Sequence, residues 1–173
     1  AAVFAEEAVV PARGAVKIRT DAPLDTVCIV GCAVATGVGA VRNTARVEAG
    51  ARVVVLGLGA VGLSAVQGAV SVGAGTIVAV DVDAWKLDLA RELGATAVVD
   101  ARAADPVASI RELCGGADYA FECAGRGDTA EQAAAMLDTY GTAVIVGQPP
   151  SGTAARFDPL SVSCYEHHIV GSN

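Results

Sequence analysis

A glycine-rich segment follows the first strongly apolar run of the chain. Gly57, Gly59 and Gly62 form the pattern Gly-x-Gly-x-x-Gly between the run Arg52–Leu56 and a stretch of helical character. In this context the first glycine permits a tight turn, the second lets the backbone approach a pyrophosphate, and the third lets a helix pack on a strand. The free N–H groups where the helix begins then bind phosphates. The segment therefore predicts a dinucleotide site.

An acidic residue follows the glycine segment, at the end of the next apolar run. Asp81 comes roughly 20 residues after the glycines, the spacing at which such a site places its ribose-binding acid. A carboxylate there accepts hydrogen bonds from ribose hydroxyls and repels a 2′-phosphate, and Asp83 adds a second negative charge. The pattern predicts NAD rather than NADP, with Lys86 within reach of the ribose or a phosphate. The alternative interpretation is a glycine turn beside a solvated capping Asp, with no ligand.

Two later segments also follow strand-like runs, at the edge where parallel sheets bind ligands. Glu122–Arg126 comes after the fourth run and Val146–Pro150 after the fifth. Gly125 and Gly147 would let the backbone approach a ligand closely. Arg126 has two interpretations, a phosphate contact or an exposed loop cation, and the sequence favours neither.

Cysteine is the other residue type that could carry chemistry. Cys28 and Cys32 are four residues apart, so both would lie on one helix face as a redox pair, metal ligands or small core residues. The five cysteines are an odd number and no export signal is visible, which favours free thiols in a reducing, cytoplasmic compartment. His167 and His168 are adjacent on a strand-like run and would face opposite sides, so they are not expected to form a metal site.

The positions of these residues depend on an alternation of strands and helices from residue 51 onward. Apolar strands that alternate with helices indicate an α/β fold with a doubly wound, six-stranded parallel sheet of the Rossmann type. The predicted strands are Arg52–Leu56, Thr76–Val80, Thr96–Val99, Tyr119–Cys123, Thr142–Val146 and His167–Val170. The predicted helices are Val61–Val72, Ala84–Leu93, Pro106–Leu113 and Thr129–Leu137.

The first 50 residues follow a different pattern. The run Ala2–Val10 is typical of a strand and is interrupted by a proline. Asp25 is placed to cap a helix over Thr26–Gly31, and a second helix is predicted over Thr36–Val47. We interpret this part as the remnant of a catalytic domain with connector helices, and residues 51–173 as an NAD-binding domain.

Composition limits the classes of function. Hydrophobic residues make up 53% of the 173 residues and charged residues 18%, enough for a large buried core. The net charge is −7 and the basic residues are scattered, which argues against a nucleic-acid partner. No run of roughly 18 to 20 uninterrupted apolar residues is present, so no membrane span or membrane partner is expected.

Together these motifs resemble one family. The segments Gly31–Gly39, Val53–Leu63, Phe121–Arg126 and Val144–Gly147, with Asp81 in its place between them, resemble the zinc-dependent medium-chain alcohol dehydrogenases, including the glutathione-type formaldehyde dehydrogenases. The Gly-Cys-x-x-x-Thr-Gly segment ahead of the glycine fingerprint is the most particular part of the resemblance. The family's chemistry would be NAD-dependent: zinc polarises the alcohol oxygen, the alcohol loses its proton, and hydride passes to NAD.

The resemblance also implies roles for individual residues. Cys32 matches a ligand of the catalytic zinc, and Thr36 and Val61 match residues that lie against the nicotinamide. Asp81 and Lys86 match contacts to the adenosine ribose. The predicted catalytic residues are Cys32 and Thr36. The predicted coenzyme-binding residues are Thr36, Gly57, Gly59, Ala60, Val61, Gly62, Asp81, Lys86, Cys123, Ala124, Arg126, Val146 and Gly147.

The chain departs from the family in its ligand set. The other Cys ligand, the His ligand and the proton-relay hydroxyl would precede residue 1, so these 173 residues are expected to be inactive alone and to hold no zinc. Cys28 is then expected to be a small core residue. The expected partners of the intact protein are NAD, a small alcohol or aldehyde and further copies of itself, as a homodimer or homotetramer. Two alternatives remain: a zinc-free quinone or enoyl reductase, against which Cys32 and Asp81 argue, and a nucleotide-binding module without chemistry.

Overall fold

The computed structural model describes residues 6–173, and its centre is a parallel sheet of six strands. They are β1 (Arg52–Leu56), β2 (Thr76–Asp81), β3 (Ala97–Asp100), β4 (Ala117–Glu122), β5 (Leu137–Ile145) and β6 (His168–Gly171). The sheet order is β3-β2-β1-β4-β5-β6, so the chain winds outward from β1 in both directions. This order is that of the doubly wound dinucleotide-binding fold, and it confirms the predicted fold class.

Helices cover both faces of the sheet. They are α1 (Leu24–Val27), α2 (Ala35–Gly39), α3 (Ala60–Ser71), α4 (Ala84–Glu92), α5 (Pro106–Cys114), α6 (Gly127–Ala135) and α7 (Pro159–Cys164). On one face Val53 and Val55 pack with residues of α3 and α4, and on the other Val54 and Leu56 pack with residues of α5 and α6. β1 is therefore buried on both sides, which is why its sequence is a continuous apolar run rather than an alternating one.

The end of α6 and the start of β5 differ from the sequence prediction. The helix ends at Ala135 and the strand begins at Leu137, which the pattern had placed in the helix. Leu137 pairs with Ala117 of β4, and the register then shifts before the ladder resumes at Thr142. This long-range pairing overrides the local helical pattern, and Tyr140 takes a positive φ of 63° in the irregular part.

The segment before β6 contains a short helix that the sequence prediction did not include. α7 begins at Pro159, and the Asp158 carboxylate accepts hydrogen bonds from the N–H groups of Leu160 and Ser161. Asp followed by Pro is a helix-start signal that was available in the sequence. His167, predicted to be in the last strand, precedes β6, and its ring stacks on Tyr165 with centroids 5.7 Å apart.

The first part of the chain differs most from prediction. Of the predicted strand Ala2–Val10, the first residues lie outside the described part, and residues 6–10 form no strand. Asp25 does not cap its helix, because the helix begins at Leu24, two residues before the predicted start, and Asp25 lies inside it. The two predicted helices are joined into one helical segment, Leu24–Thr44, because hydrogen bonds of the wider π type carry the backbone through Val30–Val34 and again near its end.

This helical segment is long and apolar enough to cross a membrane by length and composition, contrary to the sequence expectation. Helices that pack inside proteins can have the same length and composition. Its second half packs tightly on α3: a Cβ on Gly37 would lie 2.7 Å from the Ala65 nitrogen, and one on Gly68 would lie 3.2 Å from the Val38 α-carbon. This close approach favours a helix that packs on its own domain.

Candidate functional site

A crevice opens at the carboxyl ends of β1 and β4, where the chain leaves the sheet toward opposite faces. Such a switch point is where doubly wound folds bind ligands. A cavity of about 290 Å³ lies there, between the loops that follow β1, β2 and β4. The residues that line it are Leu56, Gly57, Val80, Asp81, Val82, Ala101, Ala124, Arg126, Asp128, Thr129 and Gln132.

The three glycines of the fingerprint meet different surroundings. Gly57 has a φ of +88°, and a Cβ there would lie 2.7 Å from the Ala124 nitrogen. A Cβ on Gly62 would lie 3.0 Å from the carbonyl carbon of Gly57 and closer still to its oxygen, so α3 packs directly on the strand end. No heavy atom lies within 4 Å of the Cβ position at Gly59, so the backbone there faces open space. The loop thus has the shape that a close-approaching ligand requires.

The first turn of α3 begins directly at this open space. Gly59 is the N-cap residue, and its carbonyl accepts the first helical hydrogen bond, from Leu63 N at 2.9 Å. The N–H groups of Ala60, Val61 and Gly62 precede that bond and have no partner further back in the helix. Unpaired N–H groups and the positive end of the helix dipole together bind anions.

Asp81 holds the glycine loop against β2. Its Oδ2 accepts a hydrogen bond from Leu58 N at 2.6 Å, and its Oδ1 accepts from Val82 N and Asp83 N at 2.8 and 3.0 Å. The residue is 8% exposed and borders the cavity. A carboxylate has about four acceptor sites, so Oδ2 keeps one for a donor on a ligand. Asp81 therefore has a structural role in addition to the binding role that the sequence predicts.

Asp83 forms ion pairs with two cations near the cavity. The Lys86 ammonium lies 2.9 Å from one Asp83 oxygen and 3.5 Å from Asp81 Oδ1, and the Arg102 guanidinium lies 2.9 Å from the other Asp83 oxygen. The hydrogen bond from Lys86 is the main reason that the pKa of Asp83 is lowered. The sequence had identified Lys86 but not Arg102, which comes next to Asp83 only when β3 pairs with β2.

Arg126 lines the cavity from the start of α6, with an exposed side chain. Its Nε and Nη2 donate to the two oxygens of Asp128 at 2.9 and 2.8 Å. The fork of the guanidinium is thus already bound by a neighbouring carboxylate. Both interpretations of the sequence stay predictions, and a phosphate would have to compete with Asp128 for this fork.

The loop after β4 contains two further predicted residues, Cys123 and Ala124. Cys123 follows the strand instead of ending it, and its N–H donates to the Leu56 carbonyl at 2.8 Å. Burial raises the pKa of the Cys123 thiol to about 12, and the neighbouring Glu122 carboxylate adds to the effect. Cys123 is therefore an unreactive thiol that supports the crevice.

Sequence reasoning missed Glu122 as a part of the site. It is 1% exposed, and its Oε1 accepts hydrogen bonds from Ala124 N, Gly125 N and Thr129 Oγ1 at 2.9, 2.8 and 2.7 Å. Its backbone carbonyl accepts the N–H groups of both predicted residues of the next loop, Val146 and Gly147. The available signal was a carboxylate among the apolar residues of the predicted strand Tyr119–Cys123.

Thr36 lies in a second cavity, of about 250 Å³, between the helical segment Leu24–Thr44 and the end of β6. Ser172 and Asn173 line the same cavity, and the hydroxyls of Thr44 and Ser172 lie 2.9 Å apart. The sequence analysis did not select Ser172 or Asn173, although both follow the sixth predicted strand, at the edge where ligands bind.

Cys32 and Cys28 are both exposed, and the described cysteines are free thiols. The expectation that Cys28 is a core residue is wrong, because Cys28 lies on an exposed face in the first half of the helical segment. Its thiol donates a hydrogen bond to the Asp25 carbonyl. Within residues 6–173 no group of three or more His, Cys, Asp or Glu residues is close enough to hold a metal ion. Cys32 alone does not make a zinc site, so the described residues do not fit a bound zinc.

Comparison with protein-family models matches residues 60–173 to the family described as zinc-binding dehydrogenase. Among curated proteins, alcohol dehydrogenase class-3 of Oryza sativa subsp. japonica is 44% identical over 163 residues, and that of Zea mays is 43% identical. Each alignment covers 92% of this chain and 43% of the relative. The chain thus spans less than half the length of the curated relatives it matches.

The solved structures that resemble this chain are also dehydrogenases. An alcohol dehydrogenase zinc-binding domain protein from Burkholderia ambifaria superposes with a TM-score of 0.87 at 42% identity, covering 90% of this chain and 42% of that one. Benzyl alcohol dehydrogenase from Acinetobacter calcoaceticus also has a TM-score of 0.87, at 38% identity, over 90% of this chain and 43% of that one. A zinc-binding dehydrogenase from Sinorhizobium meliloti 1021, bound to NADP, has a TM-score of 0.70 at 38% identity. The superposition covers 72% of this chain and 38% of that one.

Proposed function

Because the chain belongs to the zinc-binding dehydrogenase family, we propose that residues 51–173 are the NAD-binding domain of a zinc-dependent alcohol or aldehyde dehydrogenase. Residues 1–50 are, in this proposal, part of its second domain. The matched curated relatives are named alcohol dehydrogenases, and this chain covers 43% of each of them. In this proposal, substrate choice and turnover are properties of a whole dehydrogenase and not of residues 51–173 alone.

One observation carries the coenzyme assignment: the Cβ position at Gly59, where α3 begins, is open, and the cavity bordered by Asp81 lies against Gly57 of the same loop. A pyrophosphate fits beside the unpaired N–H groups of the turn, and the adenosine ribose fits the cavity that Asp81 borders. Thr36, Val146 and Gly147 would then lie toward the nicotinamide end. When bound, NAD supplies the hydride acceptor, and these residues orient it.

The charges around the adenosine end support NAD over NADP. Asp81 would repel a 2′-phosphate, and Asp83 pairs with Lys86 and Arg102, which weakens the attraction of these two cations for a phosphate. The Sinorhizobium meliloti relative is bound to NADP, so the preference for NAD is proposed from the local residues of this chain.

Zinc is proposed only for the intact protein. Cys32 would be one of its ligands, and a catalytic zinc of this type needs three protein ligands. The exposed thiol lies in a π-helical turn ahead of Thr36, which would place a metal near the nicotinamide end of the crevice. We also propose a cytoplasmic location and a homodimer or homotetramer that forms through the β6 edge of the sheet.

Calorimetric titration of the 173-residue chain with NAD and with NADP tests the coenzyme assignment. We expect tighter binding of NAD, and a smaller difference between the two coenzymes in Asp81→Asn. Asp88→Asn is the matched control, because that acid lies on the exposed side of α4 in an ion pair with Arg91. Equal affinity of the unsubstituted chain for both coenzymes would contradict the role of Asp81.

A second candidate function is a nucleotide-binding module without chemistry. It is favoured by the position of the coenzyme crevice, because the residues that line it lie wholly within residues 51–173. Alcohol-dependent formation of NADH by the longer protein that contains this chain, abolished by Cys32→Ser, would exclude it. Turnover that survives Cys32→Ser would instead support the zinc-free reductase alternative.

A further inference from the structure

The Glu122 side chain joins the start of α6 to the loop that follows β4. Its Oε1 accepts hydrogen bonds from the N–H groups of Ala124 and Gly125 and from the Thr129 hydroxyl, all within 2.9 Å. Two of these donors, Ala124 and Thr129, belong to residues that line the cavity of about 290 Å³ that we assign to adenosine, the adenosine-side cavity. The carboxylate thereby fixes one wall of that cavity from inside the protein.

The same residue also fixes the loop that follows β5. The Glu122 carbonyl accepts hydrogen bonds from Val146 N and Gly147 N, each at 2.9 Å. A Cβ on Gly147 would lie 2.6 Å from Glu122 Oε2 and 2.6 Å from the Gly125 α-carbon. The two loops therefore pack backbone against backbone, with Glu122 behind them and no space for a side chain between them.

The arrangement has an energetic cost. Glu122 Oε2 is buried and accepts no hydrogen bond. A buried carboxylate oxygen without a donor destabilises a fold, and an apolar side chain of similar size would fill the same space without that cost. Most buried polar atoms in native proteins have a hydrogen-bond partner, so an unpaired one calls for a specific explanation.

The loop held by Glu122 occupies the middle of the crevice. On one side Ala124 packs on the glycine loop, since a Cβ on Gly57 would lie 2.7 Å from its nitrogen. On the other side Gly125 packs on Gln148, whose nitrogen would lie 3.1 Å from a Cβ on Gly125. Glu122 is thus bonded to the element that separates the adenosine side from the nicotinamide side.

We propose that Glu122 is a positioning residue that fixes the spacing of the two halves of the crevice, so that both halves of one dinucleotide bind at the same time. The inference rests on the proposed function. It assigns to Glu122 the preorganisation that lets NAD bind more tightly than its adenosine half alone. Glu122 is not expected to touch the coenzyme, since its free oxygen lies behind Gly147.

The binding test compares NAD with 5′-AMP in Glu122→Gln, which keeps the size of the side chain and replaces the charge-assisted hydrogen bonds by neutral ones. We expect NAD to bind at least about tenfold more weakly. 5′-AMP loses the support of only one wall of its cavity, so its affinity should fall by no more than about threefold. Unchanged NAD affinity, or an equal loss for both ligands, would overturn the proposal. Ile110→Val is the control, a buried change on α5 that leaves these loops untouched and should alter neither affinity.

Hydrogen exchange in the ligand-free chain tests the same inference without the coenzyme. The amides of Ala124, Gly125 and Gly147 should exchange at least about tenfold faster in Glu122→Gln, and at the unaltered rate in Ile110→Val. Unchanged exchange at these amides would overturn the positioning role. If the unsubstituted chain binds no NAD, the proposed function fails, and the exchange rates still decide about Glu122. Thr129→Val, which removes one donor to Oε1, replaces Glu122→Gln if that variant does not fold, with the same expected direction.

Discussion

Alanine substitutions at Gly59 and Gly62 should distinguish an effect on coenzyme binding from an effect on folding. The Cβ position is open at Gly59 and blocked by the Gly57 carbonyl at Gly62. The Cβ position at Gly59 is open, and the φ of −73° suits any residue. Gly59→Ala replaces a helix N-cap glycine, which lowers the free energy of unfolding by about 0.5 to 1 kcal/mol. Alanine also restricts the unfolded chain, which raises the free energy of unfolding by about 0.4 to 1 kcal/mol. We therefore expect the free energy of unfolding, measured by urea denaturation, to stay within about 1 kcal/mol of the unsubstituted chain.

NAD affinity should fall in the same variant. The new methyl group would occupy space that the pyrophosphate needs beside the first turn of α3. Loss of one charge-assisted hydrogen bond is worth about 1.5 to 3 kcal/mol, so the dissociation constant should rise about 10- to 150-fold in a calorimetric titration. A Gly59→Ala chain that binds NAD with unaltered affinity would refute the placement of the pyrophosphate.

The matched variant Gly62→Ala should behave differently. Its Cβ would overlap the Gly57 carbonyl, so α3 or the glycine loop must move. Overpacking of backbone against backbone costs about 1 to 3 kcal/mol, and the displaced helix start should bind NAD less well. Stability and binding should therefore fall together. A Gly62→Ala chain as stable as the unsubstituted one would contradict the close packing of α3 on the end of β1.

The remaining predictions concern charge and reactivity. Asp83→Ala should tighten NADP binding about ten- to thirtyfold, because it frees Arg102 and removes the nearer of the two carboxylates beside Lys86, whereas Asp88→Ala should not change it in the same titration. The Thr139 N–H and Arg52 lower the pKa of Asp138, so its contribution to stability is present above the unfolded pKa and is lost in acid. Urea unfolding from about pH 5 to 2 should show a smaller loss in Asp138→Asn. Iodoacetamide at pH 8 should modify the exposed Cys164 well before Cys123, as measured by mass spectrometry.

The parts of the fold that depend on local pattern were predictable from the sequence. The strands that build the sheet are short β-branched runs, so the type and order of the elements were correct from β1 to β5, and the short helix α7 before β6 was missed. The fingerprint glycines were also predictable, because each has a backbone task that a side chain prevents. Gly57 and Gly62 meet backbone atoms where such contacts were expected, and Gly59 faces open space.

The parts that depend on long-range contacts were not predictable in the same way. Glu122 bonds two loops only because β5 pairs beside β4, and Arg102 meets Asp83 only because β3 pairs beside β2. The start of β5 at Leu137 likewise follows from its pairing with Ala117. The exposure of Cys28 depends on which elements pack against its helix. The residues of one helical turn do not show which elements those are.

The central claim is that one NAD molecule crosses the carboxyl edge of the sheet, over Gly59 and against Asp81. A crystal structure of the chain grown with NAD tests it most directly. We predict the pyrophosphate at the first turn of α3, the adenosine ribose within hydrogen-bond distance of the Asp81 carboxylate, and the nicotinamide end toward Thr36 and Val146. A dinucleotide bound elsewhere, or bound in the crevice in the opposite direction, would contradict the account.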